Sequence, residues 1–522
     1  MTSRHMPALG RTIACLIPIV MTAAGAAQAQ PRFQLIEATI DGIHAELRAG
    51  RLSCTQLVQA YLDRIKAYDQ AGPTLNAIQN VNPGALKQAA ELDARLKASG
   101  ALAGPLHCIP VLIKDQFDTN FMPTTYGSAL FKTFVPERNA TVVDRLQAAG
   151  AIILAKTNMG EFALAYSGSA FGNCHNAYDP SRSPSGSSCG TGAGVAANFG
   201  AVGIGEDTGG SVRGPAAHNN LVGLRPTLQL ASRAGMFPVT PTRDTLGPIT
   251  RTVRDAAIIM DAIVGYDPKD PITAWSYGHV PETYTSFLVP NGLKGMRVGV
   301  IRVPTDNSTD TTAPDYEETQ LAITKAVADL TSRGAQIIDP IEIPNLKDLV
   351  TRAGGGEVYE SEAAINAFLA RHRNSPVRTF RELAESPVVT ARRRESFQKG
   401  VGHTTKELGF LEETLARDEL RTAVLRVMAD NRLDVLFHAT YDHAPSVVPK
   451  STPGTNRRLA ASLSFPAISV PGGFFADGLP IGLEFLGRPF AEGLLIKAAF
   501  DYEQATRHRR PPATVPALPS ER

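Results

Sequence analysis

The chain has 522 residues, of which 43% are hydrophobic and 20% are charged, and these fractions are ordinary for a globular protein. Its 52 basic and 50 acidic residues leave a formal net charge of +2, which offers no electrostatic footprint for nucleic acid or for an anionic membrane surface. The length is enough for one large core or for two or three domains.

The N-terminus has the composition of an export signal. Arg4 and Arg11 precede the apolar run IACLIPIVMTAAGAA, which is followed by the small residues AQA. This order predicts a signal peptide over residues 1–29, cut after Ala29, and therefore a secreted or periplasmic protein without stable membrane insertion after cleavage. The alternative is a transmembrane anchor, which is disfavoured because the run contains Pro18 and is shorter than the ~20 residues that span a bilayer.

The segments that follow alternate between helix and strand patterns. Residues 33–102 carry apolar residues at three- and four-residue spacing and predict helices, one of them capped by Ser53 with Gln56 three residues later. Short apolar runs in CIPVLIKD and AGAIILAKTN predict buried strands, and TVVDRLQAAG between them predicts a helix. The stretch VAANFGAVGIGE predicts a helix that leads into another buried strand.

The second half of the chain continues this alternation. DAAIIMDAIVG predicts a helix that Gly265 closes, residues 266–290 a surface connection, residues 345–430 mostly charged helix, and residues 507–522 a loose tail. MRVGVIRV predicts a strand, and PAISVPGGF, GLPIGLEFLGRPF and LLIKAAFDYEQAT predict strand, strand and helix. The pattern favours an α/β fold with a central mixed, twisted sheet covered by helices on both faces.

Two glycine-rich segments lie close together, GSSCGTG at residues 186–192 and GEDTGGS at residues 205–211. Neither fits a phosphate-binding fingerprint, because no GK[ST] follows the first and its glycines lack GxGxxG spacing. In the second, backbone amides beside Ser211 can converge on one point, as an oxyanion hole requires. Each segment alone also fits an ordinary glycine-rich loop or turn.

A serine hydroxyl attacks a carbonyl group only when a base removes its proton. A lysine can be that base if burial disfavours its charged form and lowers its pKa from about 10.4. Lys114 follows the apolar run IPVLI and is therefore predicted at the end of a buried strand. The alternative is a surface lysine or one that is ion-paired to Asp115.

Together these segments resemble the amidase signature family. The family pattern is a lysine in a GIPVLIKD-like strand, then GGSSGG and TDTGGSxRxPA, and this chain has CIPVLIKD, SGSSCG and EDTGGSVRGPA. The separation of 24 residues between Ser187 and Ser211 matches the family, and LAKTNMGEFA, NLVGLRPT and DTLGPITRTVRDAA also look like family segments. The resemblance covers residues 35–506 and implies one catalytic domain over residues 30–506, in which residues 345–430 form a helical substrate-side insertion.

The resemblance implies a role for each motif residue. Lys114 is the expected general base, Ser211 the nucleophile, and Ser187 the serine that bridges them, whose preceding peptide bond is cis in the family. The expected oxyanion hole consists of the backbone amides of Thr208, Gly209, Gly210 and Ser211. Asp207 and Arg213 match positions that support this loop, and a structural role is expected for both, with substrate contact as the alternative.

The implied function is hydrolysis of a small-molecule carboxylic amide to an acid and an amine through a seryl acyl-enzyme, with esters or carbamates as further substrates. It requires no metal and no organic cofactor. One alternative is a glutamine amidotransferase subunit beside a tRNA-bound partner, which the export signal and the near-neutral charge disfavour. Another is a catalytically inactive binding protein on the same fold, which the presence of all three motif residues disfavours. The sequence leaves homo-oligomer formation and the identity of the amide open.

The histidines have no role in this mechanism. Structural or solvent-exposed positions are expected for His107, His175, His218 and His438.

The cysteines include two departures from the family pattern. Cys108 and Cys189 stand where the family usually has glycine, and Cys54 and Cys174 complete the four cysteines that follow Ala29. An exported protein can form disulfides, but the spacing does not choose among the three full pairings. Cys189 is expected either to pair with Cys174 or Cys108 or to remain a small free thiol. No CxxC motif and no His/Cys cluster with metal-ligand spacing is present, so no zinc site is predicted.

The substrate pocket has the weakest sequence signal. In the family it is walled largely by segments outside the core, which here are residues 345–430 and the loops near 121–130 and 438–455. Candidates to line an apolar pocket are Tyr126, Phe171 and Tyr441, although an ordinary core position is the simpler interpretation of each.

Overall fold

A mixed β-sheet of eleven strands organises the chain in a computed structural model, which describes residues 1–3, 5 and 33–521. Gln34–Arg522 form one compact unit, and the separate unit Met1–Phe33 has no helix or strand among its described residues. The predicted signal peptide therefore lies largely outside the described residues. Every helix that is described is too short or too polar to cross a membrane.

The strands define the sheet and a small hairpin. They are β1 (Ile78–Val81), β2 (Pro110–Lys114), β3 (Ile152–Thr157), β4 (Ser167–Gly168), β5 (Gly172–Asn173), β6 (Val202–Asp207), β7 (Val222–Arg225), β8 (Thr245–Thr250), β9 (Arg297–Val300), β10 (Gln336–Ile338), β11 (Val435–Ala439), β12 (Ala467–Phe474) and β13 (Pro480–Leu486). The sheet has the order β1-β3-β2-β6-β8-β7-β12-β13-β11-β9-β10, and β4 pairs with β5. β2 is parallel to β3 and β6, and β9 is parallel to β10 and β11, whereas the other neighbours are antiparallel.

Helices flank this sheet, so the predicted mixed α/β fold is confirmed. They are α1 (Ile40–Arg48), α2 (Cys54–Tyr68), α3 (Ala85–Ser99), α4 (Thr141–Ala148), α5 (Cys189–Ala196), α6 (Arg213–His218), α7 (Val253–Ile263), α8 (Pro314–Ser332), α9 (Leu346–Arg352), α10 (Glu357–Leu369), α11 (Phe380–Glu385), α12 (Ala391–Gln398), α13 (Leu408–Asp430), α14 (Arg458–Leu463) and α15 (Glu492–Thr506). Five of them, α9 to α13, fall in the region 345–430 that the sequence predicts as helical.

The start of α2 follows from its sequence. The Ser53 side chain accepts a hydrogen bond from the amide of Gln56, and the Gln56 side chain accepts one from the amide of Ser53. This reciprocal pair satisfies two amides that would otherwise lack partners at the helix start, and such a cap contributes about 1 kcal/mol. The predicted cap is therefore confirmed.

The centre of the sheet places two motif segments side by side. β2 lies between β3 and β6 and is parallel to both, so all three strands end at the same edge. Every residue of β2 and of β6 is buried, as expected for strands that are covered on both faces. This arrangement brings Lys114, the last residue of β2, next to the GEDTGGS segment at the end of β6.

The glycines of the first motif segment allow a helix to lie close to backbone. α5 begins at Cys189, so most of GSSCGTG is helical rather than a loop. A Cβ atom at Gly190 would lie 2.2 Å from the carbonyl oxygen of Ala77 and 2.5 Å from the amide nitrogen of Asn158. Only glycine fits such a contact, which explains why a poor helix former occupies this helix.

The prediction that residues 33–102 are helical is wrong for one short segment. Ile78–Val81, inside the region 33–102 predicted as helical, form strand β1, which pairs antiparallel with β3. These four residues lie between two periodic segments and are too few to show a period of their own.

The tail predicted to be loose is instead docked on α2. The buried guanidinium of Arg64 donates to the carbonyl oxygens of Val515 and Pro516 at 2.8 and 3.2 Å and pairs with Glu521 at 2.9 Å. These contacts satisfy a buried cation, a requirement that the composition of the tail does not reveal.

The cysteines pair differently from the expectation for Cys189. Cys108 forms a disulfide with Cys54, and their Cα atoms are 5.4 Å apart. Cys174 and Cys189 are buried and free. The expected pairing of Cys189 with Cys174 or Cys108 is therefore wrong, and its alternative, a small free thiol, is confirmed. His107 lies beside the disulfide.

Candidate active site

Lys114 ends a buried strand, as the sequence predicts. Its side chain is 0% exposed, and its Nζ atom lies 2.7 Å from the Oγ atom of Ser187. Asp115 does not pair with Lys114, because its carboxylate lies 3.2 Å from the Nζ atom of Lys156. The surface and Asp115-paired alternatives for Lys114 are therefore excluded.

Ser187 is presented by a tightly packed turn before α5. The peptide bond between Gly186 and Ser187 is cis, as the resemblance implies. A Cβ atom at position 186 would lie 1.9 Å from the carbonyl oxygen of Ala165, so glycine is required there. The carbonyl oxygen of Ser187 accepts a hydrogen bond from the amide of Gly160 at 3.2 Å. These contacts fix the backbone on both sides of the Ser187 hydroxyl.

Ser211 lies on the loop between β6 and α6. Its side chain faces a cavity of about 640 Å³ that Ser187, Thr208 and Gly209 also line, and Ser211 is 9% exposed. Lys114 thus contacts Ser187 directly, and Ser187 shares a cavity with Ser211. Among the described residues no hydrogen bond joins the hydroxyls of Ser187 and Ser211, so the direct link in this structure is the one from Lys114 to Ser187.

The loop before α6 offers backbone donors to the cavity. The amides of Thr208, Gly209 and Ser211 have no acceptor among the described residues. Gly210 differs from the expectation, because its amide donates to the Oδ1 atom of Asp207 at 2.8 Å and is therefore occupied. A Cβ atom at Gly209 would meet nothing within 4 Å, so this part of the loop is open. Unoccupied amides on a loop that lines the cavity are the kind of donor that can stabilise an oxyanion.

Asp207 supports this loop, and the expectation of a structural role is confirmed for it and for Arg213. Its carboxylate accepts the amide of Val212 at 3.1 Å and pairs with Arg225 at 2.7 Å and with Arg213 at 3.3 Å. Burial alone would raise the pKa of Asp207, but the two guanidinium groups hold it well below its usual range. Asp207 is therefore a permanent anion that fixes the turn between β6 and α6.

Arg457 joins the two motif segments, and the sequence gives no indication of it. Its Nη1 atom donates to the carbonyl oxygens of Gly186 at 2.8 Å and Gly210 at 3.0 Å, one residue before each motif serine. Its Nε atom donates to Thr455, and its guanidinium lies 5.0 Å from the centroid of the Tyr441 ring. Arg457 therefore holds the loops of Ser187 and Ser211 in register.

Glu206 is a further site residue that the sequence did not predict, although it lies inside the GEDTGGS segment. Its Oε2 atom lies 2.7 Å from the Nζ atom of Lys114, and neither side chain is exposed. The signal that could have found it is the glutamate at the first position of EDTGGS, where the family pattern has threonine.

The cavity walls come partly from the predicted segments. The loop 438–455 contributes Tyr441 and Thr455, and the region 345–430 contributes Glu357 and Arg392. The loop 121–130 contributes no lining residue. Further walls that the sequence did not predict come from residues 163–166, 183–187, 239–243 and 305–307.

The three aromatic candidates differ in whether they line the cavity. Tyr441 lines the cavity. Tyr126 is fully buried in an aromatic core cluster, where its hydroxyl donates to Asp118 at 2.8 Å. The ring of Phe171 is partly exposed, contacts Lys132 and does not line the cavity. Of the three, only Tyr441 lines the cavity, and because polar groups such as Ser185, Arg243 and Arg392 line it as well, the apolar character expected of the pocket is not found.

The four histidines considered in the sequence lie outside this cavity. His218 has a structural contact: its Nδ1 atom lies 3.1 Å from the carbonyl oxygen of Ser183. Burial lowers the pKa of His218 to about 3. His218 is therefore neutral at physiological pH.

Comparison with known proteins places the whole fold among amidases. A family model described as Amidase matches residues 56–496. The chain is 34% identical to a probable amidase of Arabidopsis thaliana, with 95% of each chain covered. It is 36% identical to a glutamyl-tRNA(Gln) amidotransferase subunit of Thermosynechococcus vestitus, with coverage of 90% of this chain and 98% of the relative. Among solved structures, the native peptide amidase of Stenotrophomonas maltophilia superposes with a TM-score of 0.84 at 36% identity, covering 92% of this chain and 99% of that one.

Proposed function

The chain belongs to the amidase family and is a hydrolase of carbon–nitrogen amide bonds, and we propose that it acts through a seryl acyl-enzyme formed on Ser211. Ser187 relays protons between Ser211 and Lys114, which is the general base. The observation that carries this proposal is the distance of 2.7 Å between the Lys114 amine and the Ser187 hydroxyl, at the edge of the cavity that Ser211 lines.

The reaction follows from these positions. Neutral Lys114 takes the hydroxyl proton of Ser187, Ser187 takes the hydroxyl proton of Ser211, and the Ser211 oxygen attacks the amide carbon. The negative charge that develops on the carbonyl oxygen is stabilised by the free amides of the loop before α6. Ser187 then gives a proton to the leaving amine and recovers one from Lys114.

The second half of the reaction repeats the first with water. Water gives a proton to the same relay and attacks the acyl carbon, the acid leaves, and Ser211 regains its proton. The balance is one amide and one water consumed, and one acid and one amine formed. The mechanism uses no metal and no organic cofactor. An ester or carbamate fits the same route, because its leaving group departs more easily than an amine.

The substrate class that we propose is a small-molecule amide, including peptide amides. The solved relative with a TM-score of 0.84 is a peptide amidase, and a cavity of about 640 Å³ has room for a molecule of that size. Tyr441 and Arg392 are among the residues that line this cavity.

A glutamine amidotransferase subunit is the second candidate, because relatives of that description cover most of the chain. The solved amidotransferase subunit of Thermotoga maritima superposes less closely, with a TM-score of 0.70 at 27% identity. The net charge of +2 also lacks the large excess of positive charge that is typical of proteins that bind tRNA. The hydrolase proposal is therefore preferred.

We also propose that the protein is exported, on the pattern of residues 1–29. N-terminal sequencing of the protein from its native host tests this proposal. A mature chain that begins at Gln30 in the secreted or periplasmic fraction supports it, and an intact Met1 in the cytosol contradicts it.

The proposed chemistry is tested with purified mature protein and a panel of aliphatic, aryl and peptide amides. Wild-type protein should release amine or ammonia, and Ser211→Ala should abolish the release. Ser332→Ala, a change at an exposed serine at the end of α8, should have no effect. A wild type that is silent across the panel favours a binding protein, and activity that survives Ser211→Ala removes Ser211 from the mechanism.

A further inference from the structure

Glu206 places a second ionisable group against the proposed base. Its Oε2 atom lies 2.7 Å from the Nζ atom of Lys114, and both side chains are 0% exposed. The amine of Lys114 therefore contacts the Ser187 hydroxyl and the Glu206 carboxyl group at the same time. The motif pattern TDTGGSxRxPA has threonine at this position, where this chain has Glu206.

A simple ion pair would oppose the proposed chemistry. A carboxylate in contact with an amine favours the ammonium form, and an ammonium group cannot accept the proton of Ser187. However, ammonium with carboxylate contains the same number of protons as neutral amine with carboxylic acid. Whether Lys114 can act as a base therefore depends on which partner holds the shared proton.

The contacts of Thr208 require a proton on a neighbouring carboxyl group. Its Oγ1 atom lies 2.5 Å from the Oε1 atom of Glu206 and 2.7 Å from the Oδ1 atom of Asp244. A threonine hydroxyl has one proton and can donate to only one of these oxygens. The other contact is a hydrogen bond only if the carboxyl group donates to Thr208. One of the two carboxyl groups is therefore a carboxylic acid.

The remaining contacts assign this proton to Glu206. The Oδ2 atom of Asp244 accepts the amides of Val239 at 2.7 Å and Thr240 at 2.9 Å, and such bonds stabilise a carboxylate. Neither carboxyl oxygen of Glu206 accepts a backbone amide among the described residues. Burial raises the pKa of Glu206 against the opposing effect of Lys114, and Asp244 raises it further.

The two guanidinium groups near Glu206 are already paired with another carboxylate. Asp207 follows it on β6 and binds the guanidinium groups of Arg213 and Arg225. No further cation is within ion-pair distance of the Glu206 carboxyl group among the described residues.

We propose that Glu206 is a positioning residue that holds the shared proton as a carboxylic acid and so keeps Lys114 a neutral amine. Glu206 donates to Thr208, Thr208 donates to Asp244, and Lys114 donates one N–H to the Oε2 atom of Glu206. The lone pair of Lys114 then accepts the Ser187 proton during attack and returns it when the amine leaves. Glu206 keeps its own proton throughout. This inference rests on the proposed function.

The position of the proton can be measured without turnover. The infrared difference spectrum of wild type against Glu206→Gln near neutral pH should contain the C=O stretching band of a protonated carboxylic acid, which is lost with the glutamate. The band should persist in Asp244→Asn. A wild type without the band overturns the proposal. So does a band that disappears in Asp244→Asn but persists in Glu206→Gln, because the proton then lies on Asp244.

Kinetics supply a second readout. Glutamine has the shape and hydrogen-bonding capacity of the proposed acid, so Glu206→Gln should retain more activity than Glu206→Ala and should leave the acid limb of the pH profile of kcat/KM in place. Glu206→Ala removes both contacts and should lower kcat by about tenfold or more. An ion pair predicts instead that Glu206→Gln moves the acid limb to lower pH by about one unit or more, because Lys114 loses its counter-charge. That shift, or an unimpaired Glu206→Ala, overturns the proposal.

Failure of this inference can be told apart from failure of the proposed function. If the wild type hydrolyses no amide, the proposed function fails, and the infrared band still reports where the proton lies. If Ser211-dependent hydrolysis is present and the band is absent, the inference alone fails. Circular dichroism checks that each variant folds. If Glu206→Gln does not fold, Glu206→Thr, which restores the family residue, replaces it in the infrared measurement and should lack the band.

Discussion

Arg457 donates from its Nη1 atom to the carbonyl oxygen of Gly210, which directly precedes Ser211 in the chain, at 3.0 Å. The same nitrogen lies 2.8 Å from the carbonyl oxygen of Gly186, which directly precedes Ser187. One guanidinium group therefore sets the separation of the two loops between which a proton has to pass. Sub-ångström positioning of reacting groups accounts for large rate factors, so this distant residue belongs to the proposed catalytic apparatus.

Replacing Arg457 with lysine should lower kcat by about 10- to 100-fold, with a smaller effect on KM. Lysine keeps the charge, but its one nitrogen cannot take the place of both Nη1, which donates to the two carbonyl oxygens, and Nε, which donates to Thr455. Steady-state kinetics on an amide that the wild type hydrolyses measure the effect. Arg426→Lys, at an exposed position of α13, is the matched control. A normal kcat in Arg457→Lys contradicts the proposed positioning.

Replacing Lys114 with methionine should lower kcat by about 10²- to 10⁴-fold, which is the usual contribution of a general base. Methionine keeps most of the apolar stem and cannot accept a proton. The protein should remain folded, because the proposed acid form of Glu206 leaves no buried charge behind. The measurements are kcat and the thermal unfolding curve, with Lys87→Met at an exposed site of α3 as the control. A fully active Lys114→Met removes the proposed base.

Much of this site could be predicted from the sequence, because its motif residues lie in short segments whose structure depends on neighbouring residues. The run IPVLI predicts the buried strand that ends at Lys114, and the glycines around Ser187 and Ser211 predict backbone that can approach other groups closely. Segments of this kind carry their own conformational preference, so a window of about ten residues is enough to predict them.

The parts that the sequence did not predict depend on long-range register. The contact of Glu206 with Lys114 exists because β2 and β6 are parallel neighbours, and no local pattern determines which strands pair. Arg457 comes from a segment about 250 residues beyond Ser211 and acts on carbonyl oxygens, which have no side-chain signature. The pairing of Cys54 with Cys108 likewise cannot be predicted from the spacing of the cysteines alone.

Loss of the disulfide between Cys54 and Cys108 should destabilise the protein by up to about 4 kcal/mol, because the bond closes a loop with a sequence separation of 54 residues. The free energy of unfolding of Cys108→Ser, measured with urea, should fall relative to wild type. Cys174→Ser is the control, since Cys174 is a free buried thiol. Thiol counting on the denatured, unreduced mature chain should find Cys174 and Cys189 only. Four reactive thiols in that experiment contradict the pairing.

Asp255 should make stability depend on pH. It is fully buried, its Oδ1 atom accepts the amide of Ile40 at 3.1 Å, and burial raises its pKa to about 6 from 3.8 despite the charge of Arg251. The folded protein therefore binds this proton more tightly than the unfolded chain does. The associated stability is complete below about pH 4 and is lost as the pH rises through about 6, by at most about 3 kcal/mol.

Asp255→Asn removes this titration. Urea unfolding between about pH 4 and pH 8 should show wild type losing stability relative to the variant as the pH rises. Any constant cost of the substitution cancels in that comparison. Parallel pH profiles of the two proteins would show that Asp255 has an ordinary pKa.

Deleting residues 511–522 should destabilise the protein by about 3–5 kcal/mol, because it leaves the buried guanidinium of Arg64 without Glu521 and without the carbonyl oxygens of the tail. Only the carbonyl oxygen of Ala197 remains as an acceptor for Arg64 among the described residues. The same deletion in Arg64→Leu should cost much less, because no buried cation is then left unpaired. Chemical denaturation of the four proteins gives the coupling energy, which we expect to exceed about 1 kcal/mol. Equal costs of the deletion in both backgrounds would mean that the tail stabilises the protein through its apolar contacts rather than through Arg64.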